Sequence, residues 1–298
     1  PAVQAGRQSP TDVVSYLKRL DTGGPVNACV SGPENKGRFF YSDDFRQFNF
    51  ESRQVSISTA LDTLMSLADS EQPPGIALQA AQIPQVMPGF LGENIMPLLD
   101  STIAPRIWIS NQSTIAPHID IDYNIAGVIS GRRHFTVFPP EQVANLYIGP
   151  LLRTPAGPPI STVDLRAPDL EKFPRFAEAL ESAQEAVLEP GDAIYIPVLW
   201  WHGVESLESL NMLVNYWWND DVAAHHTPLL CLVHSMVVMS GMSANQRNAW
   251  RALFEYFVFQ RDGDPGAHLP RDLQDVMVKL SAAEKEQVLE SVANNLRR

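Results

Sequence analysis

Residues 117–140 read PHIDIDYNIAGVISGRRHFTVFPP, and residues 190–202 read PGDAIYIPVLWWH. The first stretch alternates polar and apolar residues with the period of a strand. In a strand, side chains i and i+2 share a face, so His118 and Asp120 are expected to offer an imidazole and a carboxylate at one point. His202 arrives from the start of a much later strand. Two imidazoles and a carboxylate on one side of a divalent metal leave coordination positions open. A lone His-x-Asp is a weak signal, and its surroundings strengthen it. Arg133 follows His118 by fifteen residues, just past the turn Ser130-Gly131. A hairpin of residues 125–129 against 134–138 is expected to set this cation deep beside the metal. Pro190-Gly191-Asp192 is a turn signal ahead of the strand-like AIYIP. Asn124 and Asn215 also fall in strand-like runs.

Two His and one carboxylate form the ligand set of non-haem Fe(II) oxygenases, with room for a co-substrate and O₂. A dicarboxylate co-substrate needs a cation for its far end, and an arginine binds a carboxylate with two hydrogen bonds. The frame H-x-D-x-x-x-N, then G-x-R and F-P-P, then P-G-D-x-x-Y-I-P-x-x-W-W-H and V-N-Y-W resembles the JmjC hydroxylases. More narrowly, it is similar to their cupin-like subgroup, which includes the asparaginyl hydroxylase of hypoxia-inducible factor. The resemblance runs from about residue 107 to 218. It implies a mainly β fold with helical additions, a double-stranded β-helix or jelly roll, and an Fe(II)- and 2-oxoglutarate-dependent dioxygenase. It matches His118, Asp120 and His202 to the metal ligands, Arg133 to the distal-carboxylate cation, and Asn124 and Asn215 to asparagines facing the co-substrate. Thr114 stands beside Ile115, which occupies the place of a co-substrate threonine. Gln79, Asp122 and Trp201 are the candidate substrate-facing residues. The sequence departs from the pattern at Ala77 and Ile115, and also at Asp122, where the family's glutamine is replaced and a different substrate is implied.

The same ligand set would also suit Zn²⁺ with one open position for water, giving a hydrolase or isomerase of the cupin kind. N-methyl-lysine demethylation uses the same centre, and a cupin shell serving only as a scaffold is a third alternative. The substrate is left open among a protein side chain, an amino acid, a small molecule and, least favoured by the acidic charge, a modified tRNA base.

The formal charge of −12 argues against a general nucleic-acid binder. A 45% hydrophobic content is enough for a packed core. Cys29 and Cys231 are far apart and suggest no disulfide framework, as expected of a cytoplasmic protein. The N-terminal residues show no apolar signal segment, and the apolar stretch 228–239 is too short to span a bilayer.

Working outward, residues 10–20 and 58–69 read as amphipathic helices, capped by Thr11 and by Ser58 or Thr59. Residues 76–83 and 103–110 read as strands. The proline-rich stretch 141–175 is long enough to be functional and is expected to cover the barrel mouth and help select substrate. The catalytic domain is expected over residues 1–222, with its barrel core at about 76–218. Residues 223–298 shift to a helical period, with helices at 227–239, 244–259 and 271–296, and their apolar stripes suit a homodimer. His225-His226 has no carboxylate partner at useful spacing and is not read as a second metal site.

Overall fold

Strands that alternate in burial need two different partners, one for each face. A computed structural model describes residues 1–219, 228–277 and 280–296. The chain separates into two units, Pro1–Asn219 and Asp220–Arg298. The expected boundary near residue 222, together with His225, His226 and Thr227, lies outside the described residues.

In the first unit, helices α1 (Ala2–Gln8) and α2 (Pro10–Leu20) precede strand β1 (Val26–Ser31) and strand β2 (Phe50–Val55). Helix α3 (Ile57–Ser66), strand β3 (Gly75–Gln82) and the short helices α4 (Ile83–Val86) and α5 (Gly89–Glu93) follow. Next come β4 (Pro105–Ser110), β5 (Ser113–His118), β6 (Tyr123–Ser130) and β7 (Arg133–Phe138). Helix α6 (Phe176–Glu181) leads to β8 (Gln184–Leu188), β9 (Ala193–Ile196), β10 (Trp201–Ser206) and β11 (Asn211–Trp218). The strands form two antiparallel sheets, ordered β2-β1-β3-β4-β11-β6-β9 and β5-β10-β7-β8. This is the mainly β jelly-roll architecture with helical additions expected from the sequence.

Strand β11 shows how the alternation is used. Met212, Val214 and Tyr216 join the core formed with Val13, Leu17, Ile57, Leu61 and Leu64 of the helices. The intervening Leu213, Asn215 and Trp217 line a cavity between the sheets. Fully burying one such aliphatic side chain contributes roughly 1.5–3 kcal/mol, so the helical layer holds the larger sheet rigid behind the cavity.

Several local expectations are corrected. Residues 125–129 and 134–138 do not form a hairpin. β6 pairs with β11 and β9, whereas β7 pairs with β10 and β8. The chain turns a corner at Gly131 (φ 72°) and passes from one sheet to the other. A Cβ there would lie 2.6 Å from the Leu210 carbonyl oxygen, so the corner requires glycine twice over. The caps also shift. Ser9, not Thr11, accepts from the Asp12 amide, and Ser56, not Ser58 or Thr59, accepts from the Thr59 amide. In each case the serine just ahead of the first turn holds the extended backbone that a cap needs.

In the second unit, α7 (Pro228–Met239) and α8 (Ala244–Leu253) are helical, and a π-type turn carries α8 on through Val258. The stretch 271–296 is not one helix. Short 3₁₀ turns at Arg271–Leu273 and Asp275–Met277 precede α9 (Ala282–Leu296). The Ser281 hydroxyl and amide both donate to the Glu284 carboxylate, and this cap sets where α9 begins. Among the described residues no helix is long and apolar enough to cross a membrane.

Candidate metal centre and anion pocket

His118 and His202 face each other as a cross-strand pair at the ends of β5 and β10, with ring centroids 4.2 Å apart. Each ring Nδ1 lies against the carbonyl two residues earlier, at 3.0 Å from Ala116 and 3.1 Å from Trp200. A carbonyl only accepts, so each Nδ1 carries a proton and Nε2 is the nitrogen of each ring that faces away from the carbonyl. Burial, reinforced by His118, pulls the His202 imidazole down to about 4, and Asp120 only partly offsets this. At neutral pH His202 is therefore the uncharged ring that ligates metals.

Asp120 is not in a strand, as its spacing suggested. β5 ends at His118, and Asp120 lies in the connection to β6, where its carbonyl accepts from the Leu199 amide at 3.0 Å. Its carboxylate Oδ2 still lies 3.5 Å from His202 Nε2. Ligand atoms of His118, Asp120 and His202 all fall within 4.8 Å of one another, the only such group among the described residues. Two imidazoles and a carboxylate whose ligand atoms converge in this way fit a divalent cation, with positions left for other ligands.

The cavity between the sheets has a volume of about 150 Å³. That resembles the size of a cavity able to hold benzene. His118, Asp120 and His202 are part of its lining, together with Arg133 from β7. Arg133 is 7% exposed. Among the described residues its Nε has no hydrogen-bond partner, and its Nη2 makes only a long 3.5 Å contact to the Trp108 carbonyl. Burial alone lowers its guanidinium to about 10, still charged at neutral pH. A buried charge without a partner is costly, and an anion entering the cavity would relieve it. Ser113 and Ser110 add two hydroxyls to the lining, 3.2 Å apart, and Ser110 continues at 3.2 Å to Ser206. Sequence reading missed these serines, although Ser-x-x-Ser at 110–113 spans the turn between β4 and β5.

The other candidates divide. Gln79 lines the cavity next to Ala80, whose φ of 49° marks a bulge in β3. Asn124 and Asn215 also line it, but their amides hydrogen-bond to each other. Thr114 is buried outside the lining. A bulge between the pairs His202↔His118 and Val204↔Ile115 changes the phase of β5, so Ser113 and Ile115 face the cavity and Thr114 does not. Trp201 packs in a separate core with Phe138 and Phe176 rather than facing substrate space. Asp122 accepts from Asn219 at 3.3 Å and is not part of the lining. The stretch 141–175 contributes Pro155, Ala156, Pro158 and Ile160 to the cavity wall.

A family model for the cupin-like domain matches residues 1–224, and the chain belongs to that family. It is 34% identical to lysine-specific demethylase 8 of Xenopus tropicalis over 40% of this chain and 26% of that protein. It is 32% identical to the HSPB1-associated protein 1 homolog of Danio rerio over 51% of this chain and 33% of that protein. It is 31% identical to the tRNA wybutosine-synthesizing protein 5 of Danio rerio over 34% of this chain and 28% of that protein. The matches thus span only a quarter to a third of these relatives.

Proposed function

We propose that this member of the cupin-like family is an Fe(II)- and 2-oxoglutarate-dependent oxygenase that hydroxylates a protein side chain, an amino acid or a small molecule. The observation that carries the reading is the buried Arg133, with no ion-pair partner among the described residues, in a cavity that also presents a two-histidine, one-carboxylate group. His118, Asp120 and His202 would hold the iron. Bound iron supplies the one-electron and O₂ chemistry that amino-acid side chains lack. The chain's own residues bind and orient. Arg133, aided by the Ser110 and Ser113 hydroxyls, neutralises the far carboxylate of 2-oxoglutarate. Trp108, Leu213, Val204 and Phe135 keep the cavity apolar and exclude water. Gln79 and the 155–160 stretch stand where substrate would contact the protein.

Lysine demethylation is the second reading, favoured by the identity to a relative named as a lysine-specific demethylase. It needs no new machinery, because hydroxylating an N-methyl group gives a hemiaminal that releases formaldehyde. The acidic net charge leaves a nucleic-acid substrate the least favoured. A cytoplasmic location remains a proposal from cysteine usage alone. We also propose a second copy of this chain as partner, through the helices of the second unit. Leu230, Val237, Val258 and Phe259 are each at least 60% exposed there, and apolar surface of this kind favours association.

The test is anaerobic loading with Fe(II) and 2-oxoglutarate, then O₂ and a panel of peptides and amino acids, with products weighed. Succinate formation with gain of one oxygen atom supports hydroxylation. Loss of a methyl group with formaldehyde selects demethylation. Turnover supported by Zn(II) and independent of 2-oxoglutarate would refute both.

A further inference from the structure

The metal ligand Asp120 stands at the end of a hydrogen-bond chain that runs across three neighbouring strands. Trp108 Nε1, on β4, donates to Asn215 Oδ1 at 2.8 Å. Asn215 Nδ2, on β11, donates to Asn124 Oδ1 at 3.2 Å. Asn124 Nδ2, on β6, donates to Asp120 Oδ2 at 2.9 Å. Trp217 Nε1, also on β11, donates to the same oxygen at 3.0 Å. The strands are adjacent in the order β4-β11-β6. Asn124 and Asn215 are 5% and 2% exposed, so these bonds are shielded from bulk water.

An amide oxygen and nitrogen are nearly alike in shape, and only their partners show which way round an asparagine sits. Here both ends of the chain are fixed. An indole N–H only donates, and an ionised carboxylate only accepts. Asn215 must therefore turn its oxygen to Trp108 and its NH₂ to Asn124, and Asn124 must turn its NH₂ to Asp120. Reversing either amide would set donor against donor at one end and acceptor against acceptor at the other. The indoles also brace each other, edge to face at 5.9 Å, and the Arg106 guanidinium covers the Trp217 ring at 4.5 Å.

We propose that Trp108 and Trp217 are positioning residues for the metal ligand, Trp217 directly and Trp108 through the two asparagines, and that Asn124 and Asn215 orient Asp120 as a relay. The proposal rests on the metal reading given above. Both donors reach Oδ2, the oxygen that lies 3.5 Å from His202 Nε2, so they fix the tilt of the carboxylate where a cation would meet it. The relay also joins the two ends of the site, because the Trp108 carbonyl faces Arg133 while its indole begins the chain to Asp120.

The test uses the full chain, stripped of metal and titrated with Co(II), reading both affinity and the visible absorption of the bound ion. Trp108→Phe and Trp217→Phe keep a ring in place and remove only the N–H donor and part of the indole. Each is expected to weaken Co(II) binding about tenfold and to change the Co(II) spectrum while circular dichroism stays as in the wild type. In an Asn124→Ala background the relay is already cut. Trp108→Phe should then cost nothing further, whereas Trp217→Phe should still weaken binding. Wild-type affinity in Trp108→Phe overturns the proposal, and so does an undiminished effect in the Asn124→Ala background, which would mean simple packing. If Trp108→Phe does not fold, Asn215→Leu cuts the same relay, and wild-type Co(II) affinity there is equally decisive against it. A wild-type chain that takes no Co(II) sinks the metal reading and this proposal together. A wild type that binds beside a Trp108→Phe variant that binds equally sinks the relay alone.

Discussion

Arg133 is the residue whose surroundings are hardest to explain without a ligand, and its replacement has two opposite expected effects. Arg133→Met removes the cation that would receive the distal carboxylate, so the KM for 2-oxoglutarate should rise at least a hundredfold. The same change removes an uncompensated buried charge, so the ligand-free protein should lose no stability and gain up to about 3 kcal/mol. A thermal-shift series with 2-oxoglutarate separates the two, since ligand should stabilise the wild type and leave the variant unmoved. The three metal-ligand candidates and Arg133 were legible because residue type and motif spacing both pointed at them. That Trp201 and Asp122 lie off the cavity lining was not legible, because a motif names neighbours in sequence without saying which face they take. The part that Trp217 and the asparagines play around Asp120 was hidden, because nothing in V-N-Y-W shows which carboxylate its indole meets.

Strands were easier to place than the irregularities that aim them. The bulge in β5 decides which of two adjacent side chains reaches the cavity. Ser113→Ala should accordingly raise the KM for 2-oxoglutarate several-fold, and Thr114→Val should leave it within twofold; the reverse ranking in steady-state assays would mean that the phase of β5 has been misassigned. The corner at Gly131 is equally local and equally consequential, because β7 and Arg133 begin two residues later. Gly131→Ala forces a Cβ against the Leu210 carbonyl at positive φ, and should lower stability by about 2 kcal/mol or more in a denaturant melt. Alternation foretold β6 and β7 as strands, but it carries no record of which sheet each joins. The hairpin expectation failed because a short glycine turn serves a sheet-to-sheet corner as well as it serves a hairpin. The start of α9, by contrast, was available as Ser281-x-x-Glu284 ahead of an apolar run, a signal passed over for the longer periodic stretch.

At the scale of the whole molecule, the jelly roll was recognisable from the ordered succession of motifs, and the helical layer from its apolar stripes. The second unit is where pattern says least, since its stripes specify an apolar contact without specifying a partner. If those helices join two copies of the chain, Val258→Asp or Phe259→Asp should convert the protein to a monomer on a sizing column while Co(II) affinity stays as in the wild type. A wild type that already runs as a monomer at micromolar concentration would remove the dimer and leave the metal centre untouched.

The uncompensated guanidinium has a practical consequence for anyone handling the protein. A largely apolar cavity with one fixed positive charge will attract whatever small oxyanion fits, whether or not it is the physiological one. Phosphate, sulfate, citrate or carbonate in a storage or assay buffer would then occupy the cavity, protect the protein against heat and slow turnover. Buffers of bulky sulfonates and chloride should give the faster enzyme and the less durable one.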